Sequence, residues 1–63
     1  MASDETRRIL KVFGVAVTNL EDALERRAPA DELARLDRDL AERTREVLAL
    51  IERLRGAAGG ARA

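Results

Sequence analysis

The 63-residue chain contains no cysteine, histidine, tryptophan or tyrosine, and it has one phenylalanine and one proline. Without cysteine there is no disulfide framework and no thiolate metal ligand. Histidine, cysteine and tyrosine are also among the side chains most often used as acids, bases and nucleophiles. A reactive site would therefore have to be built from carboxylates and hydroxyls alone.

The carboxylates do not form a recognised catalytic or metal-binding pattern. Glu42 and Glu46 are four residues apart and would share one face of a helix, where they could hold a cation. The Glu-x-x-His element of di-metal helical bundles is missing, however. Most glycines lie near the C-terminus rather than before a helix, so no phosphate-binding loop is indicated. We expect a protein that is not an enzyme, with no catalytic residues, no metal site and no cofactor.

Charge is abundant but balanced. Twelve basic residues match twelve acidic ones, which disfavours nucleic acid and acidic membranes as partners. The N-terminus is acidic and polar, unlike a secretion signal. The longest uncharged stretch, 12–20, is shorter than the roughly 20 apolar residues that cross a bilayer. The sequence predicts a soluble cytoplasmic protein, and it indicates no small-molecule substrate.

The first half of the chain is predicted to form a helix over 4–27. Ser3 is a suitable N-cap, and acidic residues follow it in the first turn, where the helix dipole favours them. A strand over 9–17 is the alternative, but no partner strand is available and the residues that follow strongly favour helix. The predicted apolar stripe recurs at steps of three and four residues: Leu10, Phe13, Val17, Leu20 and Leu24.

The segment 28–30, centred on Pro29, is predicted to break the helix. A second helix over 31–55 carries a seven-residue apolar repeat and ends at Gly56, with basic residues in its last turn. Residues 1–3 are expected to be a cap or tail, and 56–63 a disordered Gly/Ala tail. The repeat consists of Leu33, Leu36, Leu40, Val47, Leu50 and Leu54.

Two helices of about 24 residues around one proline predict an all-α, antiparallel helical hairpin. Facing residues should then have numbers that sum to about 58. A chain of this length rarely builds a sufficient core alone. We therefore expect the hairpin to form a homodimer, a four-helix bundle with coiled-coil packing, or to bind a larger protein.

The end of the hairpin away from the loop has more apolar residues than one hairpin can cover. An exposed patch of this kind usually marks a contact with another protein. The function predicted from it is a protein–protein interaction or oligomerisation module. Its predicted interface consists of Ile9, Val12, Phe13, Ala16, Leu48 and Ile51.

Gly14, Arg43 and Thr44 interrupt the apolar pattern at one level of the hairpin. Glycine costs about 1 kcal/mol inside a helix, so Gly14 indicates a close helix crossing or room for a partner's side chain, with a ligand notch or a hinge as alternatives. Arg43 stands where an apolar residue is expected. Either its stem lies along Phe13 with its head in water, or it pairs with Asp39 or a partner's carboxylate and fixes the register.

Two other functions remain as alternatives. In length and hairpin plan the chain resembles the Rop-type plasmid copy-number repressors, a resemblance of architecture that implies a four-helix bundle. An RNA- or DNA-binding regulator would need a basic face, for which the residues available are Arg7, Arg8, Lys11, Arg45 and Arg55. The other alternative is attachment to a membrane surface through 9–17, a short segment without tryptophan.

Overall fold

The computed structural model describes the backbone of residues 2–62 and the side chains of residues 2–59. Two helices, α1 (Asp4–Glu25) and α2 (Ala30–Arg62), pack against each other in antiparallel orientation. Their Cα atoms span 50 × 19 × 14 Å, so the hairpin is a slab one helix thick. The predicted all-helical hairpin is confirmed. Met1 and Ala63, the outermost residues of the two predicted tails, lie outside the described residues.

Helix α1 begins as its sequence predicts. The Ser3 side chain accepts a hydrogen bond of 3.1 Å from the backbone N–H of Thr6, and the Ser3 carbonyl accepts one from the N–H of Arg7. Asp4 and Glu5 then place negative charge in the first turn, beside backbone N–H groups that have no partner inside the helix.

The loop is a tight helix end followed by proline. The N–H of Ala28 donates to the carbonyl of Ala23, and the N–H of Arg27 donates to the carbonyl of Leu24. This is the pattern of a Schellman motif, in which Arg27 takes the left-handed conformation with φ of 56°. The Pro29 carbonyl accepts the first bond of α2, from the N–H of Leu33. The chain therefore reverses within four residues.

Helix α2 extends further than the helix predicted from the sequence. It continues past Gly56 to Arg62, whereas the predicted helix ends at 55 and is followed by a disordered tail. Gly56 and Gly59 have no positive φ, so neither acts as a left-handed C-cap. The alanines around them have the highest helix propensity of any residue, and no proline follows.

Two ion pairs connect the helices and report their register. Arg26 contacts Glu32 at 3.0 Å beside the loop, and Glu5 contacts Arg53 at 3.5 Å near the open end, the end away from the loop. In both pairs the residue numbers satisfy the predicted sum of 58. The antiparallel register was therefore predicted correctly along the length of α1.

The helices pack along a seam that differs from the predicted stripe on α1. Ala16 and Ala23 are buried, whereas Leu10, Val17 and Leu24 are exposed. The predicted stripe is therefore wrong at Leu10, Val17 and Leu24, three of its five positions. The apolar residues of α1 that lie against α2, partly or fully buried, are Ile9, Val12, Phe13, Ala16, Leu20 and Ala23. On α2 the seam follows the predicted repeat except at Leu54, which is exposed, with Leu50 buried and Leu33, Leu36, Leu40 and Val47 half-buried.

The shift has a steric cause. Ile9, Ala16 and Ala23 are seven residues apart, and so are Leu10, Val17 and Leu24, one position further on. Both sets can form a helix face. Alanine in the seam lets the two backbones approach closely, and the large side chains of α2 fill the space. A pattern read from large apolar residues selects the other set.

Candidate protein-interaction surface

The residue after each seam residue is apolar along most of the hairpin. On α1, Leu10, Val17 and Leu24 follow the seam residues Ile9, Ala16 and Ala23, and all three are exposed. On α2, an exposed set follows Leu33, Leu40 and Val47 in the same way. We name the combined set the outer apolar face: Leu10, Val17, Leu24, Ala34, Ala41 and Leu48.

Both halves of the outer apolar face lie on the same side of the hairpin. A residue that follows a seam residue is displaced by about 100° around its helix. The two helices run in opposite directions and face each other across the seam. The displaced residues of α1 and those of α2 therefore lie on the same broad side of the slab. The register then groups the face into three rows of residues at equal height: Leu24 with Ala34, Val17 with Ala41, and Leu10 with Leu48.

The residue before each seam residue is charged at most positions, and this set lies on the opposite broad side. Asp22 precedes Ala23, and Glu32 precedes Leu33. Both contact Arg26, which lies on the same side; these hydrogen bonds, the stronger one to Glu32, raise the pKa of Arg26. We name this side the ion-pair face: Asp22, Arg26, Glu32, Asp39, Arg43 and Glu46.

The predicted interface residues are divided by the structure. Ala16 is buried in the seam, and Ile9, Val12 and Phe13 are partly buried there, so these four pack against α2 rather than forming an open patch. Leu48 and Ile51 are exposed. Of the predicted interface residues, only Leu48 and Ile51 are therefore exposed for a contact, and the predicted interface stays a prediction. Adjacent apolar pairs, such as 9–10 and 16–17, were the sequence signal that the seam and a second apolar face lie side by side on α1.

Gly14 lies on the outer side of α1, between the rows of Leu10 and Val17. A Cβ atom built on Gly14 would have no neighbour within 4 Å, so a close crossing with α2 does not explain this glycine. Its carbonyl accepts a 3.2 Å hydrogen bond from Thr18, which remains possible with any side chain at position 14. Inside one hairpin, Gly14 costs helix stability and gains no contact.

Arg43 and Thr44 lie partly buried beside the seam. The Arg43 guanidinium contacts Asp39 at 3.4 Å and Glu46 at 3.2 Å, both on its own helix. The hydrogen bond to Glu46 is the main reason that the pKa of Arg43 is raised. Among the described residues, the buried Nε–H of Arg43 has no hydrogen-bond acceptor. Thr44 donates to the Leu40 carbonyl at 2.8 Å, so its hydroxyl is satisfied locally.

The solvent-accessible surface of the hairpin is larger than that of a compact monomer of the same mass. Its accessible surface is 5,124 Å² at 6.9 kDa. A compact monomer of that mass would expose about 4,000 Å². The excess of roughly 1,100 Å² includes the end of α2 beyond Leu54, which α1 does not cover, and the two broad sides of the hairpin. An interface of standard size buries about 800 Å² on each partner.

The residues of the two alternative functions do not share one surface. Helical spacing places Arg8 on the ion-pair side, Arg55 on the outer apolar side, and Arg7 and Arg45 on opposite flanks. The segment 9–17 is likewise divided among the seam and both broad sides.

A shallow depression on α2 is formed by successive turns of one helix and is lined by charged residues only: Asp31, Arg35, Arg38, Asp39 and Glu42.

Within the described residues, no helix is long and apolar enough to cross a membrane, and no group of three or more acidic side chains is placed to hold a metal ion. Comparison of the chain with known protein families, with curated proteins and with solved structures finds no match.

Proposed function

We propose that the chain is a non-enzymatic oligomerisation module and that the outer apolar face is its contact surface. The observation that carries the proposal is the difference between the two broad sides, one apolar and one ion-paired. The outer apolar face is interrupted only near the loop, by Glu21 and Asp37. Exposed apolar residues grouped on one side are typical of a protein contact, whereas scattered ones are normal on any protein.

The size of the expected effect is consistent with a reversible contact. Completing the burial of Leu10, Val17, Leu24 and Leu48 would contribute on the order of 3–6 kcal/mol for each chain. Two chains joining by the same face would gain about twice that. The loss of free rotation and translation on association costs about 4–15 kcal/mol. At the most favourable limit about 8 kcal/mol remains, which corresponds to a dissociation constant of about 1 μM, so we expect association at micromolar concentrations or above.

The chain offers a matched pair of valines to test the surface. Val17 lies on the outer apolar face with 38% exposure, and Val15 lies on the ion-pair side with 50% exposure. Val17→Glu should weaken self-association at least tenfold, because it places a charge in the contact. Val15→Glu should leave it unchanged. Sedimentation equilibrium of both variants and the parent chain measures this directly.

Circular dichroism of both variants supplies the control. Glutamate has a higher helix propensity than valine, so neither change should reduce helix content in the hairpin itself. Equal association of the two variants would contradict the proposal, and so would a parent chain that stays monomeric at millimolar concentration.

A further inference from the structure

We propose that a second copy of this chain covers the outer apolar face in antiparallel orientation, with the two loops at opposite ends of a four-helix bundle. This rests on the proposed function and adds the occupant's orientation and its contacts. The alternative is the parallel dimer, in which both loops lie at the same end. Charge and the unused ends of the helices distinguish the two.

An acidic row interrupts the outer apolar face near the loop. Glu21 and Asp37 are both exposed and lie at equal height, between the row of Leu24 and the row of Val17. In a parallel dimer this row would lie against its own copy, bringing four carboxylates to one level. Arg38 lies on the outer flank and would offset part of that repulsion. Like charges facing each other in this way disfavour the parallel dimer.

In an antiparallel dimer with its twofold axis near the row of Gly14 and Thr44, the acidic row meets the other end of the second copy. There, Glu21 lies level with Arg7 of the second copy, and both are on the outer flank of α1. The arrangement forms this oppositely charged pair twice. The arrangement has two costs. Arg45 comes near Arg45 of the second copy, on a flank where long exposed side chains can separate, and Asp37 comes level with Ile51 of the second copy.

Two of the most exposed large apolar side chains, Leu24 and Leu54, come to the same height only in the antiparallel dimer. Leu54 is 58% exposed because α1 begins at Asp4, opposite it, and leaves no cover beyond. Leu24, at the loop end, is also 58% exposed. The antiparallel register brings Leu24 of one copy to the height of Leu54 of the other. In the parallel register these two residues lie at opposite ends of the bundle.

Gly14 acquires a role in the same geometry. It lies at the middle of α1, where the twofold axis brings the two α1 helices together. The open space around its Cβ position in one hairpin is the space that the second α1 would occupy.

The distance between the two loops tests the orientation. The chain has no native cysteine, so Pro29→Cys gives a single site for a nitroxide on an exposed loop residue outside the proposed contact. Double electron–electron resonance should give a distance of about 45 Å for the antiparallel dimer, from about 15 residues of helix on each side of the axis. The parallel dimer would place the labels within about 20 Å.

The outcomes separate this inference from the proposed function. A distance near 45 Å supports the antiparallel dimer. A distance near 20 Å overturns it and leaves self-association intact. A labelled chain that sediments as a monomer and gives no dipolar signal overturns both. Sedimentation of the unlabelled Pro29→Cys variant beforehand confirms that the substitution itself has not changed the association.

A charge exchange tests the contact independently of the label. Arg7→Glu and Glu21→Arg should each weaken self-association roughly threefold to tenfold, and the double variant should recover to within about twofold of the parent. Residues 7 and 21 are separated by about 21 Å along one helix, so recovery can occur only between copies. Lys11→Glu, on the other side of α1, is the control and should have no effect. A double variant as weak as the sum of its singles would overturn the contact.

Discussion

The two broad sides of this hairpin are built from neighbouring residues yet have opposite chemistry. The outer apolar face follows the seam residues by one position, and the ion-pair face precedes them by one. A shift of one residue to either side of the seam, within a seven-residue repeat, therefore separates an exposed apolar surface from a surface of solvated ion pairs. On the proposed function, the phase of the sequence repeat would alone direct association to one side of a two-helix protein.

The largest effect on assembly is expected when the ion-pair face is made apolar, like the outer apolar face. Replacing Asp22, Asp39 and Glu46 with leucine should convert the ion-pair face into a second apolar face. With two such faces, the contact no longer closes after one partner, and species larger than a dimer should form at micromolar concentration. Sedimentation velocity measures the size distribution.

The matched control for this variant removes the charges without adding apolar surface. Asp22→Asn, Asp39→Asn and Glu46→Gln together should retain the parent's association state. Larger species in this control would show that charge repulsion, not the apolar surface, limits the assembly.

Gly14→Ala should have effects of opposite sign on folding and on association. Alanine should raise the free energy of unfolding of the hairpin by about 1 kcal/mol, because no atom lies within 4 Å of the new methyl group. On the proposed interface the same methyl should weaken self-association several-fold. Urea unfolding at several protein concentrations separates the two effects.

Gly56→Ala is the control for that experiment. It is a second helical glycine with open space around it, beyond the start of α1. It should give a gain in helix stability without the loss of association. Stronger association of Gly14→Ala than of Gly56→Ala would contradict a close approach at Gly14.

Arg43→Leu should raise the thermal unfolding midpoint of the hairpin by a few degrees. It removes a buried Nε–H that lacks an acceptor and completes the apolar repeat of α2, while the ion pairs that it loses are partly exposed. Calorimetry gives the midpoint. A lower midpoint, or a loss of cooperativity, would instead support a role for Arg43 in fixing the register.

The smallest effect is expected on the ion-pair face. Arg26→Gln removes contacts to Asp22 and Glu32, both of which are at least partly exposed to solvent. Exposed ion pairs contribute little because water screens them, so the unfolding midpoint should fall by only a degree or two at low salt. High salt should abolish the difference. A large fall at high salt would contradict this description of the face.

The hairpin, its N-cap and its register could be predicted because each depends on local signals. Ser3 before two acidic residues, and one proline between two helical patterns, are sufficient for these features. The end of α2 was missed because Gly56 takes a helical conformation among alanines.

The exposed apolar residues were only partly predictable. Leu48 and Ile51 are exposed as predicted, but the choice between Ala16 and Val17 for the seam depends on how closely two backbones approach. That distance is a property of the packed pair of helices, and hydrophobicity alone does not determine it.

The alanines in the seam also affect how the stability of the fold depends on the concentration of the chain. Ala16 and Ala23 bring the helices close, but they contribute little buried area, and among the described residues only Leu50 adds a large buried side chain. On the proposed arrangement, burial between copies adds to the burial in the seam. Association then stabilises the folded hairpin, and the abundance of the chain affects the fraction that is protected from proteases.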